Sequence, residues 1–182
     1  RSSSNVYNQS LLASLIAHLG ADEATEWARG IANNMARPPS GGDTDQIKAV
    51  AAGAGDVAVS NSYYLARLMA SEDAEDRRVA EQIGVHFPNQ DGRGTHVNVS
   101  GAGVTASSDN IDNAIRLIEF LSSEEAQGLF AEASQEYPVN PAVPWSQTLQ
   151  SWGEFQPDTL DLSRLGELNA EAVRIFDTVG WR

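Results

Sequence analysis

The chain has 182 residues, 41% of them hydrophobic, with 12 basic residues against 25 acidic ones and a formal net charge of −13. That length and apolar content allow an ordinary core in one large domain or parts of two, and the negative charge opposes nucleic acid and anionic membrane as partners because both would be repelled. With no cysteine in the chain, disulfides, thiolate metal sites and cysteine nucleophiles are excluded together.

No apolar run approaches the length of about 18 residues that spans a membrane, and no signal peptide opens the chain, so a soluble chain is expected which, if exported, is already processed or truncated. Arg1-Ser-Ser-Ser4 reads as the end of a strand and its loop. Leu11, Leu12, Leu15, Ile16 and Leu19 then mark one face of a helix ended by Gly20, which puts Tyr7 at a helix mouth. A second amphipathic helix spans about 22–33. After the breaker Arg37-Pro-Pro-Ser-Gly-Gly42, Asp43-Thr-Asp-Gln46 has the form of a capping box with Asp43 as the cap.

A strand is expected over 56–60, followed at once by Asn61-Ser-Tyr-Tyr64 and a long charged helix over 63–83 whose Glu and Arg residues form a solvated face. Val85-His-Phe87 reads as a short strand, 88–94 as a crossing or hinge loop, and 96–104 as a strand with a glycine-rich turn. Helices follow over 109–121, with Ile111, Ala114, Ile115, Ile118 and Leu121 as the apolar face, and over 124–133 behind Ser123 as cap. A proline-punctuated stretch leads to a last helix carrying Leu165, Leu168, Ala172, Val173 and Phe176. Alternation of strand and helix predicts an α/β architecture.

Tyr63 and Tyr64 are the most informative residues. In the first turn of a helix neighbouring side chains diverge by only about 100° and can converge on one small object. At the carboxyl end of a strand in an open α/β sheet that corner is where ligands bind; fold position alone does not make a site, and the plainer reading is that the two rings cover the sheet edge. If the strands before Tyr7 and before Tyr63 are parallel neighbours, three of the chain's four tyrosines meet. A phenol has a free pKa near about 10 and becomes a good ligand when a hard trivalent cation favours the phenolate, so three phenolates suit ferric iron and make a poor zinc site.

The segments Ser3-Ser-Asn-Val-Tyr-Asn-Gln-Ser10, Ala58-Val-Ser-Asn-Ser-Tyr-Tyr64, Asn98-Val-Ser-Gly-Ala-Gly-Val104, Asn113-Ala-Ile-Arg-Leu-Ile-Glu-Phe-Leu121 and Glu136-Tyr-Pro-Val-Asn140 resemble, in collinear order, the C-terminal half of a periplasmic ferric-iron-binding protein. That is the solute receptor of an ABC importer, here of the tyrosine-rich cyanobacterial and marine type. The resemblance implies one lobe of a type II periplasmic binding protein, Fe(III) as cargo, Tyr7, Tyr63 and Tyr64 as its ligands, and a membrane permease as partner.

Related members hold a synergistic anion with a small polar loop and an asparagine near a helix start. Ser4 and Asn5 lie in the corresponding loop, and Asp43 stands where that asparagine is expected, so a carboxylate there opposes an anion. Asn61 either orients a ligand or caps its helix. The resemblance further implies that an N-terminal lobe is missing, that residues 1–93 form the tyrosine-bearing core, that 94–144 cross toward the absent lobe, and that 145–182 pack back. Exposed apolar surface and a homodimer of the fragment are then expected. No catalytic role is expected: Ser100-Gly101 lacks the G-x-S-x-G order of a nucleophile elbow. The alternative within the same fold is a receptor for an oxyanion or another small solute, using Ser- and Asn-rich helix mouths. His18 is expected to offset the charge at its helix end, His86 and His96 to make structural hydrogen bonds, and Tyr137 to pack.

Overall fold

A computed structural model describes all 182 residues. Nine helices follow in order: α1 (Val6–Leu19), α2 (Ala21–Asn34), α3 (Asp43–Ala51), α4 (Ser62–Met69), α5 (Ala74–Ala80), α6 (Ile111–Leu121), α7 (Glu124–Ser134), α8 (Gln147–Ser151) and α9 (Ser163–Val179). The chain forms two compact units, one of Arg1–Ser60, His86–Asn98 and Phe155–Arg182, the other of Asn61–Val85 and Val99–Glu154. These boundaries differ from the expected 1–93, 94–144 and 145–182. Residues 61–85 fold with the second unit, and the loop 88–94 is part of the first.

The loop stays with the first unit because it is fastened there. The N–H of Thr95 donates to the Gln156 carbonyl at 2.8 Å and that of Asp158 to the Thr95 carbonyl at 2.7 Å, while the Gln90 side chain accepts from the Gln156 N–H at 2.7 Å. Gly94 permits this approach. Its φ is +86°, and a Cβ there would stand 2.6 Å from the Pro157 carbonyl oxygen, too close for any side chain.

In the first unit α1, α2 and α9 pack on one another. Asn5 starts α1 by accepting from the Tyr7 N–H at 2.9 Å, and Gly20, at φ +84°, ends it. Leu12, Leu15 and Ile16 of α1, Ala24 and Ala28 of α2, and Ala172, Ile175 and Phe176 of α9 make one buried cluster with Trp181. Each large side chain in it contributes about 1.5–3 kcal/mol through removal from water. Trp181 closes the cluster edge-on against Phe176 at 5.0 Å, and its indole N–H donates to the Arg1 carbonyl at 3.0 Å.

The expected cap at Asp43 is displaced by one residue. Gly42 is the N-cap of α3, and its N–H donates to the Asp45 carboxylate at 2.6 Å. Asp43 is instead the first helical residue, with its carboxylate drawn to Arg1 at 3.3 Å.

In the second unit the expected long helix over 63–83 is two helices. Asp73 caps α5 by accepting from the Glu75 N–H at 2.8 Å, and the Ser71 hydroxyl accepts from the Asp73 N–H at 3.1 Å. Local side-chain bonds of this kind compete with helix continuation. Ser123 caps α7 as expected, and the short helix α8, not foreseen, is capped by Ser146. Tyr137 meets Trp145 edge-on at 4.9 Å.

The expected strands over 56–60, 85–87 and 96–104 are not formed. The sole β-bridge pairs Thr95 with Pro157 in parallel, and Val57, whose position in a sheet would be covered, is 83% exposed. A strand exists only with a neighbour to bond; alternation and β-branching show a segment's readiness for a sheet, not whether its neighbour lies among these residues. The apolar face of α6 shows the same lack of cover: this helix buries none of its side chains, and Ile111 and Phe120 are 52% and 48% exposed.

Candidate metal centre

The structure gives the three predicted tyrosines in two settings, one in each unit. In the second unit Asn61 is the N-cap of α4, and the N–H of Tyr64 donates to its carbonyl at 3.3 Å. Leu65, Ala66 and Leu68 are buried and anchor the helix, leaving Tyr63 and Tyr64 half-buried in its first turn. Their rings stack, with centroids 4.1 Å apart and planes 29° from parallel. Adjacent helical residues otherwise diverge by about 100°, so the stack gathers two phenols onto one small patch.

In the first unit Tyr7 is half-buried in the first turn of α1. The loop before it is held by its own side chains and those of α1. Ser2 and Ser4 share a hydrogen bond of 2.8 Å between hydroxyls, Asn8 donates to the Arg1 and Ser2 carbonyls at 2.8 and 3.0 Å, and Gln9 donates to the Ser3 carbonyl at 3.1 Å. Asn5 thus has a definite task, capping the helix that carries Tyr7. Arg1, which the sequence reading passed over, lies with its guanidinium carbon 5.8 Å from the centre of the Tyr7 ring and reaches Asp43 at the same time.

The donor chemistry narrows what such a centre can hold. No three His, Cys, Asp or Glu side chains come together in a way that could hold a metal ion. Tyr137, the remaining tyrosine, is set apart: burial pushes its phenol up to about 12, which disfavours the phenolate a metal would need.

A polar cluster in the first unit was only partly foreseen. His18 does more than offset a helix end, because its Nε2 lies 2.8 Å from the Asp158 carboxylate, which the Ser14 hydroxyl also approaches at 3.1 Å. Burial works to raise the Asp158 carboxyl, but the Leu160 N–H, His18 and Ser14 together outweigh it and hold it below its ordinary value. His96 lies 3.3 Å from the Ser10 hydroxyl, which itself donates to the Asn98 side-chain oxygen at 2.5 Å. Burial lowers the His96 imidazole, against the opposing hydrogen bond from its ring to the Asn98 side-chain oxygen. Asp158 follows a proline in an irregular stretch, a setting with no periodic signal to announce it.

Among known proteins, the bacterial extracellular solute-binding protein family matches residues 4–157. Iron uptake protein A1 of Synechocystis sp. is 49% identical over 182 residues, covering 100% of this chain and 51% of that protein. The solved structure of the Trichodesmium protein IdiA (FutA), in complex with iron and citrate, superposes with a TM-score of 0.96 at 53% identity, covering 100% of this chain and 58% of that one. A ferric binding protein from Campylobacter jejuni superposes equally well, with a TM-score of 0.96 at 43% identity and the same coverage. The chain spans about half the length of the curated iron uptake proteins A1 and A2 it matches. Its fold is therefore that of part of a type II periplasmic binding protein, even though these residues alone close no sheet.

Proposed function

The chain belongs to the family of bacterial extracellular solute-binding proteins, and from that membership we propose that it takes part in capturing ferric iron in the periplasm for delivery to the membrane permease of an ABC importer. The observation that carries this reading is the stacked pair Tyr63 and Tyr64 in the first turn of α4, in a chain 53% identical to a protein solved with iron and citrate.

Tyr63, Tyr64 and Tyr7 supply phenolates to Fe(III), releasing their protons as the ion binds. Three negative oxygens balance the charge of the ion, and no His, Cys or carboxylate cluster competes for it. Asn5 starts the helix that carries Tyr7, with Ser4 in the loop before it, and Asn61 starts the helix that carries Tyr63 and Tyr64. The Asp43 carboxylate is paired with Arg1. The part is a carrier's, with no bond made or broken in a substrate. The further length of the relatives accommodates a second lobe, which in this reading supplies the remaining ligands and covers the apolar face of α6.

The test is the shift in melting temperature on adding ferric nitrilotriacetate, set against inorganic phosphate, in the unaltered chain and in Tyr63→Phe. The ferric reading predicts a rise with iron that Tyr63→Phe diminishes and no rise with phosphate. Stabilisation by phosphate alone, equal in both proteins, would transfer the reading to an oxyanion receptor.

A further inference from the structure

We infer that Arg1 is a positioning residue for Tyr7, anchored by Asp43, and that it fixes both the ring and the charge beside it. The inference rests on the ferric reading for its purpose but not for its geometry. The Asp43 side chain is 3% exposed and that of Arg1 23%, with Nη1 and Oδ1 3.3 Å apart. A carboxylate buried to that degree requires a partner, and Arg1 provides one.

The guanidinium is thereby prevented from swinging into solvent. It stands 5.8 Å from the Tyr7 ring centre, within the range over which a cation is attracted by an aromatic face. Its position is fixed from the backbone side as well, since the Arg1 carbonyl accepts from both Asn8 and Trp181. One residue thus ties the buried cluster of the first unit, the start of α3 and the phenol in the first turn of α1.

Two consequences follow for a phenolate at Tyr7. The ring is held in one orientation before the ion arrives, which spares the ordering cost of binding. A fixed positive charge also lies over its π-system, lowering the energy of the electrons that a phenolate shares with a metal. Lysine in place of Arg1 would keep the charge but not the planar fork that engages the carboxylate and the ring together.

The geometry is tested without metal. Proton NMR of the full 182-residue chain should show the Arg1 side-chain methylenes displaced upfield by the Tyr7 ring. The displacement should persist in Tyr7→Phe, which keeps the ring, and collapse in Asp43→Asn, which releases the guanidinium while matching the carboxylate in shape. Unshifted methylenes in the unaltered chain, or shifts indifferent to Asp43→Asn, would overturn the inference.

The consequence for the cargo is read by ferric titration of Arg1→Gln. The phenolate-to-iron band should move to longer wavelength, with binding weakened by about two- to fivefold, and Arg1→Lys should restore the band's position in part. A purely structural role would lower stability and leave the wavelength unchanged, and that result too would overturn the inference. Absence of a band in every protein would count against the ferric reading, with the metal-free spectra still deciding the case of Arg1.

Discussion

The helices α1 and α6 carry the same kind of signal and meet opposite fates. Leu12, Leu15 and Ile16 of α1 are buried against α2 and α9, whereas α6, with Ile111, Ile115 and Ile118 at the same helical spacing, buries nothing. An apolar stripe records that a face is built to be covered; it carries no information about where the cover comes from. In the first unit the cover is α9, more than a hundred residues along the chain from α1. For α6 the neighbouring α7 gives only partial cover, and Ile111, Ile115 and Phe120 stay exposed.

The sharpest way to break this contrast is a pair of truncations. Phe176→Ala should cost about 3–5 kcal/mol of stability by leaving a cavity in the α1, α2 and α9 cluster, while Phe120→Ala on α6 should stay within about 0.5 kcal/mol. Urea unfolding followed by circular dichroism checks both, and equal losses would show that α6 is covered in solution. In that event self-association is the first explanation to examine, by sedimentation at low and high concentration.

Gly94→Ala tests the fastening of the first unit. Its φ of +86° and the 2.6 Å approach to the Pro157 carbonyl make even a methyl group intolerable without breaking the Thr95 to Pro157 bridge, a loss of roughly 1–2 kcal/mol or more. Amide exchange at Thr95 and Asp158 should quicken in the variant, and the amides of α6 should be unaffected.

A smaller effect is expected from pH, and again in the first unit. Burial places the His96 imidazole below its ordinary value in the folded chain, so on acidification the unfolded chain takes up the proton first. Stability should fall as pH drops below about 6.5, the ordinary histidine value, and His96→Gln should flatten that limb. Asp158 acts in a lower window. Its carboxyl is held down in the fold, so its contribution is present above the ordinary value of about 3.9 and is lost as pH falls beneath it. Melting temperatures between pH 7 and pH 3 in His96→Gln and in Asp158→Asn separate the contributions.

Much of this molecule was legible in its residues, and the exceptions share a cause. The cap Ser123 and the stop at Gly20 were readable because each acts within a few residues of itself. The helix start at Asn61, which carries Tyr63 and Tyr64, was readable for the same reason. The interruption between α4 and α5 was missed because Asp73, an ordinary charge in a charged helix, turned out to be a cap. The extended segments were read as strands from their own composition, but ladder formation depends on a neighbour that composition does not reveal. Arg1 and Asp158 act through partners 42 and 140 residues away, and no local pattern encodes such pairings.

Visible absorbance tests most directly the proposed capture of ferric iron by tyrosine phenolates. Titrating the chain with ferric iron should develop a phenolate-to-iron charge-transfer band that saturates at one ion per chain, weakens in Tyr63→Phe and weakens again when Tyr64→Phe is added. A colourless titration, in this chain and in a form extended to the full length of its relatives, would contradict the account.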